Sequence, residues 1–375
     1  MRLTFLRPLY ADSGYVASAY LETSRASEDA KKAVPLRWRE LREELSQAGA
    51  DPATLDALGD TVADPELAAP GAAAFGRSGT VLLTAKLPAP PLRELARWAR
   101  LPHLMPLLTQ SPARPPHLLV SANRAGGEIL AVRTAENVLE ERVQGTGWPL
   151  HKSPAGGWSQ LEHQRSVEEA WEINAKELAA AVVSAASRTK PELVIVAGDV
   201  RARAMLIEHL PADLAARSVV VEREVEVDSP ILAEAANEAL NAAADQQCRT
   251  QLESFRNQLG TGRATEGLAE TVATLRDGQV AELFLGGDYL AGDPRLPELA
   301  WASVSAWIGP GLADIALSPD DLRERGVTDL AEDRADAAII RAVAGTDAEL
   351  FLVPPGEDPP RDGIGALLRY AAPLA

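Results

Sequence analysis

The chain has 375 residues, a hydrophobic fraction of 46% and a formal net charge of −17 at pH 7. A single core rarely grows to that length, so two or three domains are expected. Its one cysteine, Cys248, excludes an intrachain disulfide framework and a zinc site built on several thiolates, and fits a reducing, cytoplasmic setting.

The acidity is uneven. Residues 1–150 carry 17 Lys+Arg and 17 Asp+Glu, while residues 151–375 carry 20 and 37, so a nucleic acid would have to be met by a local basic patch. The opening "MRLTFLRPLYADSG" lacks an apolar run with a small-residue cleavage site, and no signal peptide is expected. Uncharged runs such as Leu178 to Ser187 fall short of the roughly 18 residues a spanning helix needs, so no membrane partner is expected.

Residues 1–112 read as a mixed α+β domain. Tyr15 to Thr23 is rich in strand formers. "KKAVPLRWRELREEL" follows, with a helix expected from near Pro35; Lys31, Lys32, Arg37, Arg39 and Arg42 crowd it, and Arg39 and Arg42 share a face. A solvated helix face accounts for such a run, and so does a phosphate-contacting helix with Trp38 as a stacking group. A second helix near Pro52 to Leu58, a Gly-Arg-Ser-Gly turn at 76–79 and the strand "TVLLTAKLP" complete this part. "LTQSPARPPH" is the expected linker.

Residues 117–258 change pattern. "HLLVSANRAGGEILAVRTAENVLEERV" reads as strand, turn and strand. A loop from Gly145 to Ser159 leads into an amphipathic helix over Gln160 to Arg188, with Trp171, Ala175, Leu178, Val182 and Ala186 at spacings of three and four. "KPELVIVAGDV" is a buried strand, "RSVVVEREVEV" another, and Pro230 to Gln258 a second long helix. After a boundary at Leu259 to Gly267, residues 265–375 alternate again: helix Leu268 to Asp277, strand "VAELFLG", helix around Trp301 to Trp307, helix Arg334 to Ala344, strand "AELFLVP" and a helical turn near Ala366 to Tyr370. "SPDD" reads as a helix start capped by Ser318 with Pro319 at the first position. The fold class is therefore α/β and α+β in three domains, the middle one a sheet with long helices and the last an α/β/α layer arrangement.

No cofactor or metal site is expected. Gly260-Thr261-Gly262-Arg263 lacks the Gly-Lys-Ser/Thr ending of a phosphate loop, and His103, His117, His151, His163 and His209 include no pair at ligand spacing on one helix. The stretch "HKSPAGGWSQLEHQR", His151 to Arg165, carries more. Ser159 and Glu162 form a capping box, which explains the helix start. It does not explain an approach loop that also holds Trp148, His151, Lys152, Gly156, Gly157 and Trp158, with Arg165 beyond it, groups suited to stacking on or neutralising RNA.

The order strand, turn, strand, Gly-Gly loop, long helix and a buried strand ending in "AGD" resembles the middle domain of archaeal and eukaryotic class-one peptide chain release factors. "TEGLAETVATLRDGQVAELFLGG" resembles their ribosomal-protein-like third domain. The likeness spans about residues 117–375 and is greatest to the bacterial, actinobacterial branch, related to the hibernation factor Balon and more distantly to Pelota. In that family the tip is Gly-Gly-Gln; here Trp158 follows the glycines and Gln160 stands two positions later. The N-terminal domain has no Asn-Ile-Lys-Ser stop-codon motif.

The resemblance implies a ribosome-associated factor that occupies the A site, contacts rRNA and peptidyl-tRNA, works with a translational GTPase and not with DNA, and acts in hibernation or stress protection. The alternative it implies is a peptidyl-tRNA hydrolase that rescues stalled ribosomes, with Gln160 or the Trp158 amide as catalyst. A third reading from the residues is an RNA-modifying or RNA-processing protein unrelated to the ribosome.

Overall fold

A computed structural model describes residues 1–110, 116–134, 137–144, 159–227, 229–286, 304–354 and 356–371. The chain forms two compact units, one of Met1–Ala113 with Asp245–Ala375 and one of Arg114–Ala244.

The first unit starts with strand β1 (Val16–Leu21), buried along its whole length. Helix α1 (Glu28–Gln47) follows, and the Ser27 side chain accepts from the Ala30 amide at 3.1 Å. The helix thus begins two turns before Pro35: the serine cap satisfies an orphan amide there, and the proline is tolerated inside on an exposed position. Val34, Trp38, Leu41 and Leu45 form its buried stripe. Helix α2 (Pro52–Ala63) is capped by Asp51, whose carboxyl is held below the usual range by the Thr54 hydroxyl and amide. Strands β2 (Gly71–Arg77), β3 (Thr80–Leu87) and β4 (Leu95–Ala99) complete an antiparallel sheet in the order β3-β2-β1-β4, before a short helix α3 (Met105–Gln110). Along β1 the alternate residues Ala17, Ala19 and Leu21 join the cluster under α1 and α2, while Val16 and Tyr20 face the other side.

In the second unit β5 (His117–Asn123) and β6 (Gly126–Thr134) form the expected hairpin, whose turn is set by Asn123 Oδ1 accepting from the Ala125 amide at 2.8 Å. A third antiparallel strand, β7 (Asn137–Gln144), pairs with β6. Then come α4 (Ser159–Thr189), β8 (Leu193–Gly198), α5 (Val200–His209), α6 (Ala212–Ala216), β9 (Ser218–Val220) and α7 (Pro230–Gln258). The sheet order is β7-β6-β5-β8-β9, with β8 parallel to both β5 and β9. Leu178 and Val182 of α4 with Leu206 of α5 cover one face, and Leu232, Ala236 and Leu240 of α7 cover the other. The strand expected over 217–227 is only three residues long, because the Arg223 amide turns back to the Val221 carbonyl at 2.8 Å and ends the ladder.

The remainder returns to the first unit. Elements β10 (Ala264–Glu266), α8 (Leu268–Arg276), β11 (Val280–Leu285), β12 (Ser305–Ile308), β13 (Ile315–Ala316), α9 (Pro319–Arg323), β14 (Ala331–Arg334), α10 (Ala335–Thr346), β15 (Glu349–Leu352) and β16 (Ile364–Leu368) build two sheets, β10-β16-β11-β15 and β13-β12-β14. Ser318 caps α9 as expected, its oxygen 3.3 Å from the Asp320 amide. Two expectations are corrected. Residues 305–308 are a strand between β13 and β14 instead of part of a helix, and Ala366 lies in β16, paired with β10 and β11, instead of in a helical turn. Both runs are too short for periodicity to separate helix from buried strand, and ladder pairing decides. A shared cluster joins Leu3, Leu6, Tyr20 and Phe75 to Leu275, Val280, Ile339 and Ile364, so the two ends of the chain bury one core. Arg97 Nη2 donates to Asp333 Oδ1 at 2.5 Å, a further tie between β4 and β14. The molecule is thus a mixed α/β and α+β protein, as its alternation predicts.

Candidate functional site

Helix α4 carries the stretch that sequence singled out. Ser159 and Gln160 are its first two residues and Arg165 lies in its second turn. His151, Lys152, Gly156, Gly157 and Trp158, together with Trp148, lie outside the described residues. The first residue of α4 described as buried is Ala170. At a rise of about 1.5 Å per residue, Ser159 stands about 16 Å further along the axis.

What fixes α4 on its sheet is visible in detail. Asn174, 1% exposed, donates from Nδ2 to the Arg124 carbonyl at 2.8 Å, tying the helix to the β5–β6 turn. Leu178 packs against Gly127, where a Cβ would come within 2.8 Å of a leucine methyl and 2.5 Å of the Ser121 carbonyl. The Arg124 guanidinium lies 4.7 Å from the centroid of the Trp171 ring, and its Nε donates to Asp199 Oδ2 at 3.0 Å. Such a cation–π contact at a partly exposed site contributes about 0.5–1 kcal/mol. A shallow cleft remains between Asn123, Arg124, Trp171, Ala175, Ala202 and Met205.

Asp199 is the junction of this arrangement. Its Oδ1 accepts from the Arg201 and Ala202 amides at 2.9 and 3.1 Å, capping α5, while Oδ2 takes Arg124. Burial pushes its carboxyl up, but the two amides and Arg124 outweigh that and hold it below the usual carboxylate range. A carboxylate so engaged is a brace and not a free base. Just before it, Gly198 has φ +110° and approaches β5 so closely that a Cβ would sit 1.9 Å from the Ala122 carbonyl oxygen. The "AGD" of the strand end therefore has a physical meaning: the glycine permits contact with β5, and the aspartate holds the α5 terminus and the β5–β6 turn together.

The basic helix lies in the first unit. Lys31, Lys32 and Arg39 are exposed on α1. Arg37 is half-buried, with Nη2 2.6 Å from Glu22 and Nε 2.9 Å from Glu94, and Arg42 pairs with Asp56 at 2.7 Å. Burial pushes the Glu94 carboxyl above its ordinary range despite Arg37 beside it. Trp38, expected as a stacking group, is instead 9% exposed in the core under α1. It points inward because it falls on the Val34–Leu41–Leu45 stripe. Among the described residues no group of three His, Cys, Asp or Glu could hold a metal ion, and no helix is long and apolar enough to cross a membrane.

Sequence reasoning missed Arg124, Trp171 and Asp199 as one constellation. Asp199 was legible in part, as an Asp opening a helix after a strand. Its tie to Arg124, 75 residues away in sequence, was not.

Residues 116–261 match the family described as bacterial archaeo-eukaryotic release factor family 2. Over nearly its whole length the chain is similar to an uncharacterized protein of Mycobacterium tuberculosis strain H37Rv, 29% identical over 380 residues and covering 99% of this chain and 98% of the relative. The counterpart from strain CDC 1551 gives the same figures, 29%, 99% and 98%. Among solved structures the archaeal translation termination factor aRF1 aligns at 17% identity over 98% of this chain and 97% of its own, with a TM-score of 0.24. Pelota of Archaeoglobus fulgidus aligns at 12% identity over 99% and 92%, with a TM-score of 0.37. The Gly198-Asp199 brace and the long helix that opens at Ser159 both fall inside residues 116–261, the stretch that is similar to bacterial archaeo-eukaryotic release factor family 2.

Proposed function

We propose that this protein is a ribosome-associated translation factor that occupies the A site in a tRNA-like pose, with the loop before α4 directed at the peptidyl-transferase centre, in hibernation or stress protection. The observation that carries the proposal is the release-factor family match over residues 116–261, which includes the Gly156-Gly157-Trp158 loop and the helix that follows it. Its partners on this reading are rRNA and peptidyl-tRNA, with a translational GTPase as the delivering factor, and its compartment is the cytoplasm.

The same reading makes it a binder and not a hydrolase. Release requires a group that orients water toward the ester and a donor for the developing oxyanion. At Trp158 the side chain offers only an indole N–H donor and no acceptor for a water proton. Gln160 has the right chemistry but is the second residue of α4, two positions past the family's glutamine. A misplacement of about 1 Å already costs about a hundredfold in rate. Stalled ribosomal complexes carrying labelled peptidyl-tRNA test this. The protein is expected to bind them and release no peptide above background, with Gln160→Ala unchanged. Peptide release by the native chain, abolished in Gln160→Ala, would establish the hydrolase instead.

A further inference from the structure

Outside residues 116–261, an aromatic group stands at one end of the N-terminal sheet. Tyr15 immediately precedes β1, and Arg100 immediately follows β4. The register pairs Val16 with Ala99 and Ala17 with Trp98, so Tyr15 and Arg100 extend the ladder on the face that carries Trp98. The Tyr15 and Trp98 rings are stacked, with centroids 5.7 Å apart and planes at 27°. The Arg100 guanidinium carbon lies 5.6 Å from the Tyr15 centroid.

Trp98 is partly buried against the cluster under α1 and α2, which leaves Tyr15 and Arg100 as the outward members of the group. Tyr15 is 46% exposed, against 1% for Tyr20 in the strand that follows it, and Arg100 is exposed as well. Arg100 makes no ion pair with a described carboxylate, whereas Arg97, three residues earlier, is held by Asp333. The group therefore offers the exposed Tyr15 ring, backed by Trp98, and a guanidinium that makes no ion pair with a described carboxylate.

We propose that Tyr15, Trp98 and Arg100 form a stacking site for an unpaired nucleobase and its phosphate. The chemistry selects that ligand class. A base has a π-face for Tyr15 and for the guanidinium plane, and its phosphate meets the positive charge. A cationic side chain would be repelled by Arg100, and an apolar peptide would leave its charge unused. The segment also has no acidic excess to repel a nucleic acid, since residues 1–150 carry equal numbers of acidic and basic residues. That the nucleic acid is RNA rests on the ribosome reading above.

The test is fluorescence anisotropy of labelled hexa-adenosine RNA, and of the same DNA hexamer, titrated with the full chain at low salt, beside sedimentation with ribosomes. Saturable RNA binding is expected, weakened roughly fivefold to a hundredfold by Tyr15→Ala and by Arg100→Gln and retained within about twofold by Tyr15→Phe. Arg100→Gln alters only an exposed side chain and keeps the test valid if Tyr15→Ala folds poorly. No saturable binding, a preference for DNA, or equal affinities in native protein and variants would overturn the site. Ribosome binding that persists unchanged in Tyr15→Ala and Arg100→Gln would overturn it while leaving the ribosome reading intact. RNA binding lost in the variants, without any ribosome binding by the native chain, would keep the site and remove that reading.

Discussion

Replacing Gly198 by alanine probes whether the strand end that holds the α5 terminus is as tight as its geometry states. The added Cβ would lie 1.9 Å from the Ala122 carbonyl oxygen, 2.7 Å from its nitrogen and 2.8 Å from its carbonyl carbon, all backbone atoms of the paired strand β5. No rotamer change relieves such contacts, so β8 and β5 must separate at Ala122↔Gly198, the last pair of their register. The φ of +110° adds strain of about 1–3 kcal/mol for a residue with a side chain. Separation also stretches the bond from the Asp199 amide to the Ala122 carbonyl, now 2.8 Å, worth a further ~1 kcal/mol. The sum, about 3 kcal/mol or more, corresponds to a protection loss of roughly a hundredfold. Hydrogen exchange read by mass spectrometry suits the purpose, because the chain has two units and a single global unfolding energy would not be well defined. Amides of β5 and β8 are expected to exchange about a hundred times faster in Gly198→Ala, with those of β1 and β2 unchanged. Exchange in β5 and β8 within about threefold of the native protein would refute the reasoning.

Three further outcomes follow from the same structure. Asp199→Asn removes a charged cap and the Arg124 pair, and should destabilise the second unit by about 1–2 kcal/mol at neutral pH. Because the folded-state pKa of Asp199 is depressed, its contribution is fully present above the unfolded value near 3.8 and is lost as pH falls through the lower folded value, so native and Asp199→Asn proteins should converge only in strong acid. Cys248 is 3% exposed and burial pushes its thiol up to about 11, so an alkylating reagent at pH 8 should label the native chain far more slowly than the urea-unfolded one; equal rates would contradict its burial. Arg341, 7% exposed, donates to the Gly309 and Pro310 carbonyls at 2.7 and 3.1 Å, and Arg341→Leu should cost about 3 kcal/mol in the hydrogen-exchange protection of α10 by orphaning them. A loss below about 1 kcal/mol would mean those carbonyls find other donors.

Long periodic segments were legible from sequence alone. The boundaries expected for α7, Pro230 to Gln258, are those observed, and α4 begins one residue earlier and ends one residue later than read. The Asn123 hairpin and the Ser318 cap were legible because side-chain oxygens bond to nearby amides and leave a local signature. What was not legible depended on distant pairing. The run around Trp307 reads as helix in the sequence and is a strand because β13 and β14 flank it, and "IGALL" becomes a central strand only because β10 and β11 lie beside it. The core shared by Leu6 and Ile339 leaves no local trace at all. At the candidate sites, charge alone gave a basic helix, but it could not tell Arg37 and Arg42, held by Glu22, Glu94 and Asp56, from Lys32 and Arg39, exposed on the same helix.

That distinction shapes the central measurement, sedimentation of the purified chain with bacterial ribosomes at about 100 mM salt, repeated across a salt series. Saturable co-sedimentation is expected that weakens with salt and drops when Lys31, Lys32 and Arg39 are replaced by glutamate, with a shallower salt slope in the variant. A chain that stays in the supernatant with ribosomes from both growing and stationary cells would contradict it.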